Sequence, residues 1–257
     1  PTFSFFKTVA DLQGCAVIDV PSDAELRPDM DLIVQTVADK QPKITFLCSP
    51  NNPTGTSIAA ADVLRVCEAS QGLVVLDEAY IEFSNHPSLS ANRPQNLVVT
   101  RTMSKLYGLA GVRLGAAIAD PAVIDLMLKV IPPYPIPKPV IDTALPALAA
   151  PAMAVVEARR AILMSERDRL IPMLSQSKYV AKTYPSDANF ILFEAVDEAE
   201  MLTKLATANI RIRDFRSKIP GHFRLSIGTP DENNLALTAL GVLTSKATAQ
   251  RIGETFR

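Results

Sequence analysis

The sequence predicts an α/β protein: a mostly parallel sheet with helices on both faces, followed by a smaller α+β unit. Three observations lead there. Residues 43–48, 73–76 and 97–100 are short, nearly continuous apolar runs, the length of strands rather than helices. They alternate with stretches of helical spacing, and strands apolar along their whole length belong to sheets covered on both sides. Beyond the proline-rich residues 131–139 the pattern changes, with strands and helices in a different order.

Taken in order, residues 3–14 have helical spacing and stop at Gly14, and residues 15–20 read as a short strand. Residues 29–40 form an amphipathic helical pattern, 43–48 a buried strand and 60–70 a helix. Residues 73–76 are an all-apolar strand ending at Asp77, and 97–100 and 114–119 are further strands. Residues 131–139 read as a structured loop and 151–177 as one long helix, whose charged run Glu166, Arg167, Asp168, Arg169 is a solvated face. Strands follow at 179–184 and 189–193, a helix at 197–208, strands near 210–213 and 222–227, and a last helix from Pro230. The polar tail after Thr244 is expected to fray. The expected division is a large domain over 1–150 and a small one over 151–257, with the long helix as connector.

Composition narrows the function. Of 257 residues 48% are apolar, which supports a sizeable core, and the net charge of −1 with its even mix of acid and base argues against a polyanion-binding surface, so no nucleic-acid partner is expected. Cys15, Cys48 and Cys67 are scattered among apolar neighbours and read as buried free thiols in a reducing, cytoplasmic setting. No stretch has the length and apolarity of a membrane span, and the first residues carry no signal-peptide pattern. His86 and His222 stand alone, so no metal site is expected.

Chemistry concentrates at three strand ends. Ser49-Pro50-Asn51-Asn52-Pro53-Thr54-Gly55 follows the first apolar run, Asp77-Glu78-Ala79-Tyr80 the second, and Thr102-Met103-Ser104-Lys105 the third. Ligands of open α/β sheets bind outside the carboxyl ends of the strands, so a parallel sheet brings the three motifs to one edge. A lysine amine beside hydroxyls, a carboxylate and Arg113 suits pyridoxal phosphate, which needs an amine for its aldehyde and an anion site for its phosphate. Lys105 is the candidate catalytic amine and proton carrier. Asp77 would keep the ring nitrogen protonated, Asn52 and Tyr80 would donate to the phenolic oxygen, and Arg113, Ser104 and Thr102 would hold the phosphate. An acidic strand end also occurs in nucleotide hydrolases, but their Gly-x-x-x-x-Gly-Lys-Ser/Thr loop is missing from this sequence.

These motifs resemble those of the fold-type I pyridoxal-phosphate-dependent aminotransferases, class I/II, over residues 3 to about 240. The resemblance implies a homodimer with shared active sites, a small-molecule amino donor and a 2-oxo acid as reactants, and a cis peptide at Asn52–Pro53. It places Phe3 at the position of the ring stacked on the cofactor, usually tyrosine. Arg213 and Arg224 match substrate anion-binding arginines, whose guanidinium forks would take a phosphate in one half-reaction and a carboxylate in the other. A threonine-phosphate decarboxylase-like enzyme of the same superfamily would share every cofactor residue, and a catalytically inactive module with the same fold is a second alternative. Family members carry a preceding segment with a glycine-containing turn that grips the phosphate and an arm that reaches the neighbouring subunit. The chain opens at Pro1 without it, so an N-terminally incomplete member, short of part of the sheet, is the expectation.

Overall fold

The sheet of the first unit takes its order from chain connectivity. The structure, a computed structural model, describes residues 1–244, so the tail expected to fray lies outside the described residues. Two compact units form: Pro1–Asn52 with Thr56–Ala158, and Pro53–Gly55 with the chain from Arg159. In the first, α1 (Phe5–Leu12) and α2 (Met30–Lys40) precede β1 (Ile44–Cys48), α3 (Ala60–Ala69), β2 (Leu73–Asp77), β3 (Leu97–Thr102) and β4 (Gly115–Ile118). The strands lie in the order β1-β2-β3-β4. Crossovers longer than a tight turn, one of them containing α3, join β1, β2 and β3 as parallel neighbours, and β4 returns antiparallel to β3 after the loop of residues 103–114.

Side-chain alternation sorts the two faces. Leu47, Val74, Leu76, Leu97 and Val99 pack with Val37 of α2 and with Val63, Val66 and Cys67 of α3. On the other face Phe46 of β1 meets Phe6 of α1, the rings stacked with centroids 4.7 Å apart. The start of α2 is fixed by the Asp29 side chain, which accepts from the Leu32 N–H at 3.0 Å. The chain then forms α4 (Pro121–Leu128), α5 (Lys138–Ala147) and α6 (Ala150–Leu174). No single helix among the described residues is long and apolar enough to cross a membrane.

The second unit is an antiparallel sheet in the order β5-β6-β8-β7, from β5 (Val180–Thr183), β6 (Phe190–Ala195), β7 (Arg213–Asp214) and β8 (His222–Ser226), with α7 (Glu198–Thr207) and α8 (Pro230–Ala239). Ile191, Phe193, Phe223 and Leu225 pack against Leu170 and Leu174 of α6, Met201 and Leu205 of α7, and Leu237 of α8. Residues 53–55 belong here because Gly55, at φ +80°, lies against Ser186 where a Cβ would come within 2.4 Å of the hydroxyl, and its carbonyl accepts from the Asp187 N–H at 2.7 Å.

Several expectations are corrected. Residues 15–20 form no strand: Val17 and Ile18 are exposed, and among the described residues no neighbouring strand takes up the backbone groups that a ladder needs. Cys15 is exposed, and only Cys48 and Cys67 are buried. The strand near 210–213 shrinks to Arg213–Asp214, because the Ile210 N–H still closes α7 on the Leu205 carbonyl. The run from Glu166 to Arg169 is not a solvated face: Glu166 and Arg167 are buried, and Glu166 accepts from Arg169 at 2.6 and 2.9 Å and from Asn233 at 2.8 Å. Burial of that carboxylate is tolerable because its oxygens are filled. Helix α4 lies in a stretch the sequence left unassigned, α5 begins inside residues 131–139, which were read as loop, and the cis peptide is Ser49–Pro50 rather than Asn52–Pro53.

Candidate active site

Register brings the strand ends together. Cys48 pairs with Asp77 and Asp77 with Thr100, so three side chains from β1, β2 and β3 stand side by side on one face of the sheet. The chain leaves each strand at this edge into one of the three motifs. The Ser49 N–H donates to the Asp77 carbonyl at 2.9 Å, and the Glu78 N–H to the Thr100 carbonyl at 2.9 Å, so the ladder continues into the loops.

Asp77 is held through one oxygen. Its Oδ1 accepts from the Ala79 N–H at 3.0 Å and from the Thr100 hydroxyl at 3.3 Å. Burial pushes the Asp77 carboxyl above its ordinary value, against the Ala79 N–H, the Thr100 hydroxyl and the Lys105 charge. Beside it, burial reinforced by the Asp77 charge pushes the Cys48 thiol up to about 12, with the Asn52 N–H opposing. The thiol therefore stays neutral next to the carboxylate.

Lys105 sits half-buried in a tight loop after β3, closed by the Gly108 N–H on the Lys105 carbonyl at 3.1 Å and the Leu109 N–H on the Met103 carbonyl at 3.0 Å. Its Nζ lies 5.0 Å from the centroid of the buried Tyr80 ring. Asp77, Lys105 and Tyr80 are thus brought together, and the Asn52 backbone reaches the same edge through Cys48. Thr102 and Ser104 are linked, the Ser104 N–H donating to Thr102 Oγ1 at 3.1 Å. Arg113 is exposed at φ +56°, with its guanidinium donating to the Ala110 carbonyl at 3.0 Å rather than to any of these groups. The ring partners of Phe3 are Phe5 and Phe6, while its neighbour Thr2 donates to the Asn51 side chain at 2.7 Å.

In the second unit Arg213 and Arg224 are register partners on β7 and β8. Phe215 lies near both guanidinium groups, 6.0 Å from the Arg213 Cζ and 5.5 Å from the Arg224 Cζ, and Arg224 also covers the Phe190 ring at 4.5 Å.

Behind the edge lies a network that sequence reasoning missed. Glu78, 1% exposed, accepts from the Ser88 hydroxyl at 2.5 Å and the Leu89 N–H at 3.0 Å, and Arg101 lies 3.6 Å from it and 2.7 Å from Glu82. Its signal was an arginine at the end of an apolar strand, opposite an acidic pair. Thr100 was missed as well: a hydroxyl ending an otherwise apolar run was visible in the sequence, but its register with Asp77 was not.

The residues present suit pyridoxal phosphate: an amine and a carboxylate meet at one strand-end edge, and Asp77 Oδ2 carries no hydrogen bond among the described residues while Oδ1 carries two. A relative from Stenotrophomonas maltophilia, named histidinol-phosphate aminotransferase, is 37% identical over 251 residues, 93% of this chain and 68% of its own length. One of the same name from Xanthomonas campestris is 39% identical over 250 residues, 93% of this chain and 69% of its own length. The solved histidinol-phosphate aminotransferase of Sinorhizobium meliloti, in complex with pyridoxal-5'-phosphate, has the same fold, with a TM-score of 0.82, 24% identity and coverage of 94% of this chain and 68% of that one. The family model for aminotransferase class I and II matches residues 1–240, and the chain belongs to that family of pyridoxal-phosphate-dependent aminotransferases.

Proposed function

We propose that the chain transfers the amino group of L-histidinol phosphate to 2-oxoglutarate, giving imidazole acetol phosphate and L-glutamate, in histidine biosynthesis. The observation that carries this reading is Lys105, in the loop after β3, placed where its charge acts on Asp77 at the end of the adjacent parallel strand, with the Tyr80 ring 5.0 Å from the amine. The relatives' names support the substrate. So does the pairing of Arg213 with Arg224 on β7 and β8, which sets two guanidinium forks side by side in reach of one anion.

Bound pyridoxal phosphate supplies an aldehyde for amine exchange and a cationic ring that draws electrons from the substrate carbon. Asp77 would hold the ring nitrogen in its protonated state through opposite charge. Asn52 and Tyr80 would donate to the phenolic oxygen, and Thr102, Ser104 and Arg113, its guanidinium released from the Ala110 carbonyl, would hold the phosphate. Phe3 would supply an apolar ring to the cofactor. Lys105 Nζ would be the base that takes the proton from the substrate carbon and carries it to the cofactor side. Arg213 and Arg224 bind the substrate phosphate in one half-reaction and a 2-oxoglutarate carboxylate in the other, so a single site serves both.

We further infer a cytoplasmic homodimer. The dimer is supported by the run from α4 through the proline-rich loop, where Leu126, Leu128, Val130 and Tyr134 are exposed, the last two by 82% and 94%. The compartment is supported by three free cysteines.

The test supplies the purified protein and pyridoxal phosphate with L-histidinol phosphate or L-threonine phosphate, each with 2-oxoglutarate, and follows glutamate and carbon dioxide. Glutamate from histidinol phosphate is expected. Carbon dioxide from threonine phosphate without glutamate would give the decarboxylase reading instead, and neither product, with no retained cofactor, the inactive fold.

A further inference from the structure

We propose that Thr100 is a positioning residue for Asp77: its hydroxyl fixes the carboxylate by Oδ1 and leaves Oδ2 as the edge offered to a cationic N–H. The inference rests on the reading of Asp77 as the carboxylate that faces the cofactor ring.

The geometry is set by the sheet. Thr100 and Asp77 are partners on neighbouring parallel strands, so their side chains leave the same face a strand spacing apart. The hydroxyl donates to Oδ1 at 3.3 Å from one side, and the Ala79 N–H donates to the same oxygen at 3.0 Å from the chain beyond the strand. Two donors on one oxygen stop the carboxylate from rotating about its last torsion, which is otherwise broad. Valine, the β-branched apolar residue nearest in shape, fits the strand equally well but leaves Asp77 with a single donor.

The charged and titratable groups that meet Asp77 are few. On β1 the Cys48 thiol faces it and remains protonated, so it adds no repulsion. From the loop after β3 the Lys105 ammonium attracts it. Glu78, the next residue, is turned to Ser88 and Leu89 and is already satisfied there. A hydroxyl on the β3 side therefore stabilises the ionised carboxylate without competing for the position that a ring N–H takes. An ammonium or guanidinium in its place would pair with Asp77 outright and compete for Oδ2.

The test follows the carboxyl carbon of Asp77 by NMR in cofactor-free protein labelled at aspartate, with Asp77→Asn to assign the signal. Thr100→Val is expected to move the Asp77 titration midpoint upward and to weaken pyridoxal phosphate retention roughly 3- to 10-fold, the range of one net hydrogen bond. Thr100→Ser is expected to restore both. If the valine variant does not fold, Thr100→Ala and Thr100→Ser carry the same comparison. An unmoved midpoint in a folded variant lacking the hydroxyl, or a serine variant no better than alanine, would overturn the proposal. Full cofactor retention by Asp77→Asn would instead overturn the reading of Asp77, and the two failures are separate readings of the same set of proteins.

Discussion

Lys105 and Asp77 carry the chemistry, and their surroundings predict how each responds to substitution. Lys105→Ala is expected to lower the rate of glutamate formation by about 1000-fold or more while the fold persists, because the side chain lies in a loop and no strand depends on it; steady-state assay with circular dichroism checks both. Asp77 is the opposite case, a functional group that the fold holds at a cost. Burial raises its pKa in the folded chain, so the penalty for its charge is absent below the ordinary carboxylate range and complete once pH rises through the folded value. Asp77→Asn is therefore expected to raise the thermal midpoint of the cofactor-free protein at pH 7, with a smaller difference at pH 4, while cofactor retention falls. A lowered midpoint at pH 7 would show that the Ala79 and Thr100 bonds outweigh burial.

Elements hold these residues in place, and the strength of the hold varies along them. Arg101 at the end of β3 bridges Glu78 and Glu82, and its loss leaves a buried carboxylate with two neutral donors only. Arg101→Met is expected to cost about 2–3 kcal/mol in urea unfolding. Lys7→Met, which breaks an exposed pair with Asp11 on α1, is expected to stay within about 0.5 kcal/mol. At the start of α8, Thr229 and Glu232 form a reciprocal cap, and Thr229→Ala is expected to cost about 1 kcal/mol in the same measurement. Elements with a strong period were legible from the sequence: β1, β2 and β3 lie within a residue or two of the apolar runs at 43–48, 73–76 and 97–100. Residues 15–20 misled because β propensity cannot supply a partner strand. The α5 stretch was passed over because its prolines read as loop signals, although Pro139 stands in the first turn of the helix, where its missing N–H costs nothing.

At the scale of the molecule, parallel pairing is what turns three separated motifs into one edge, and this much could be argued before any coordinates. The orientation of individual groups could not: Arg113 turns to Ala110, and Thr100 joins Asp77, through contacts that spacing alone does not encode. The apolar residues exposed from α4 to the proline-rich loop predict self-association, and light scattering is expected to return twice the mass of the chain; a monomer at micromolar concentration would remove the dimer from the account. The most direct test of the whole is borohydride reduction of the protein loaded with pyridoxal phosphate, followed by peptide mass mapping. One reduced phosphopyridoxyl group on the peptide containing Lys105, lost in Lys105→Ala, is the expected result. An unmodified chain, or the group on another lysine with Lys105 untouched, would contradict the assignment of the catalytic amine.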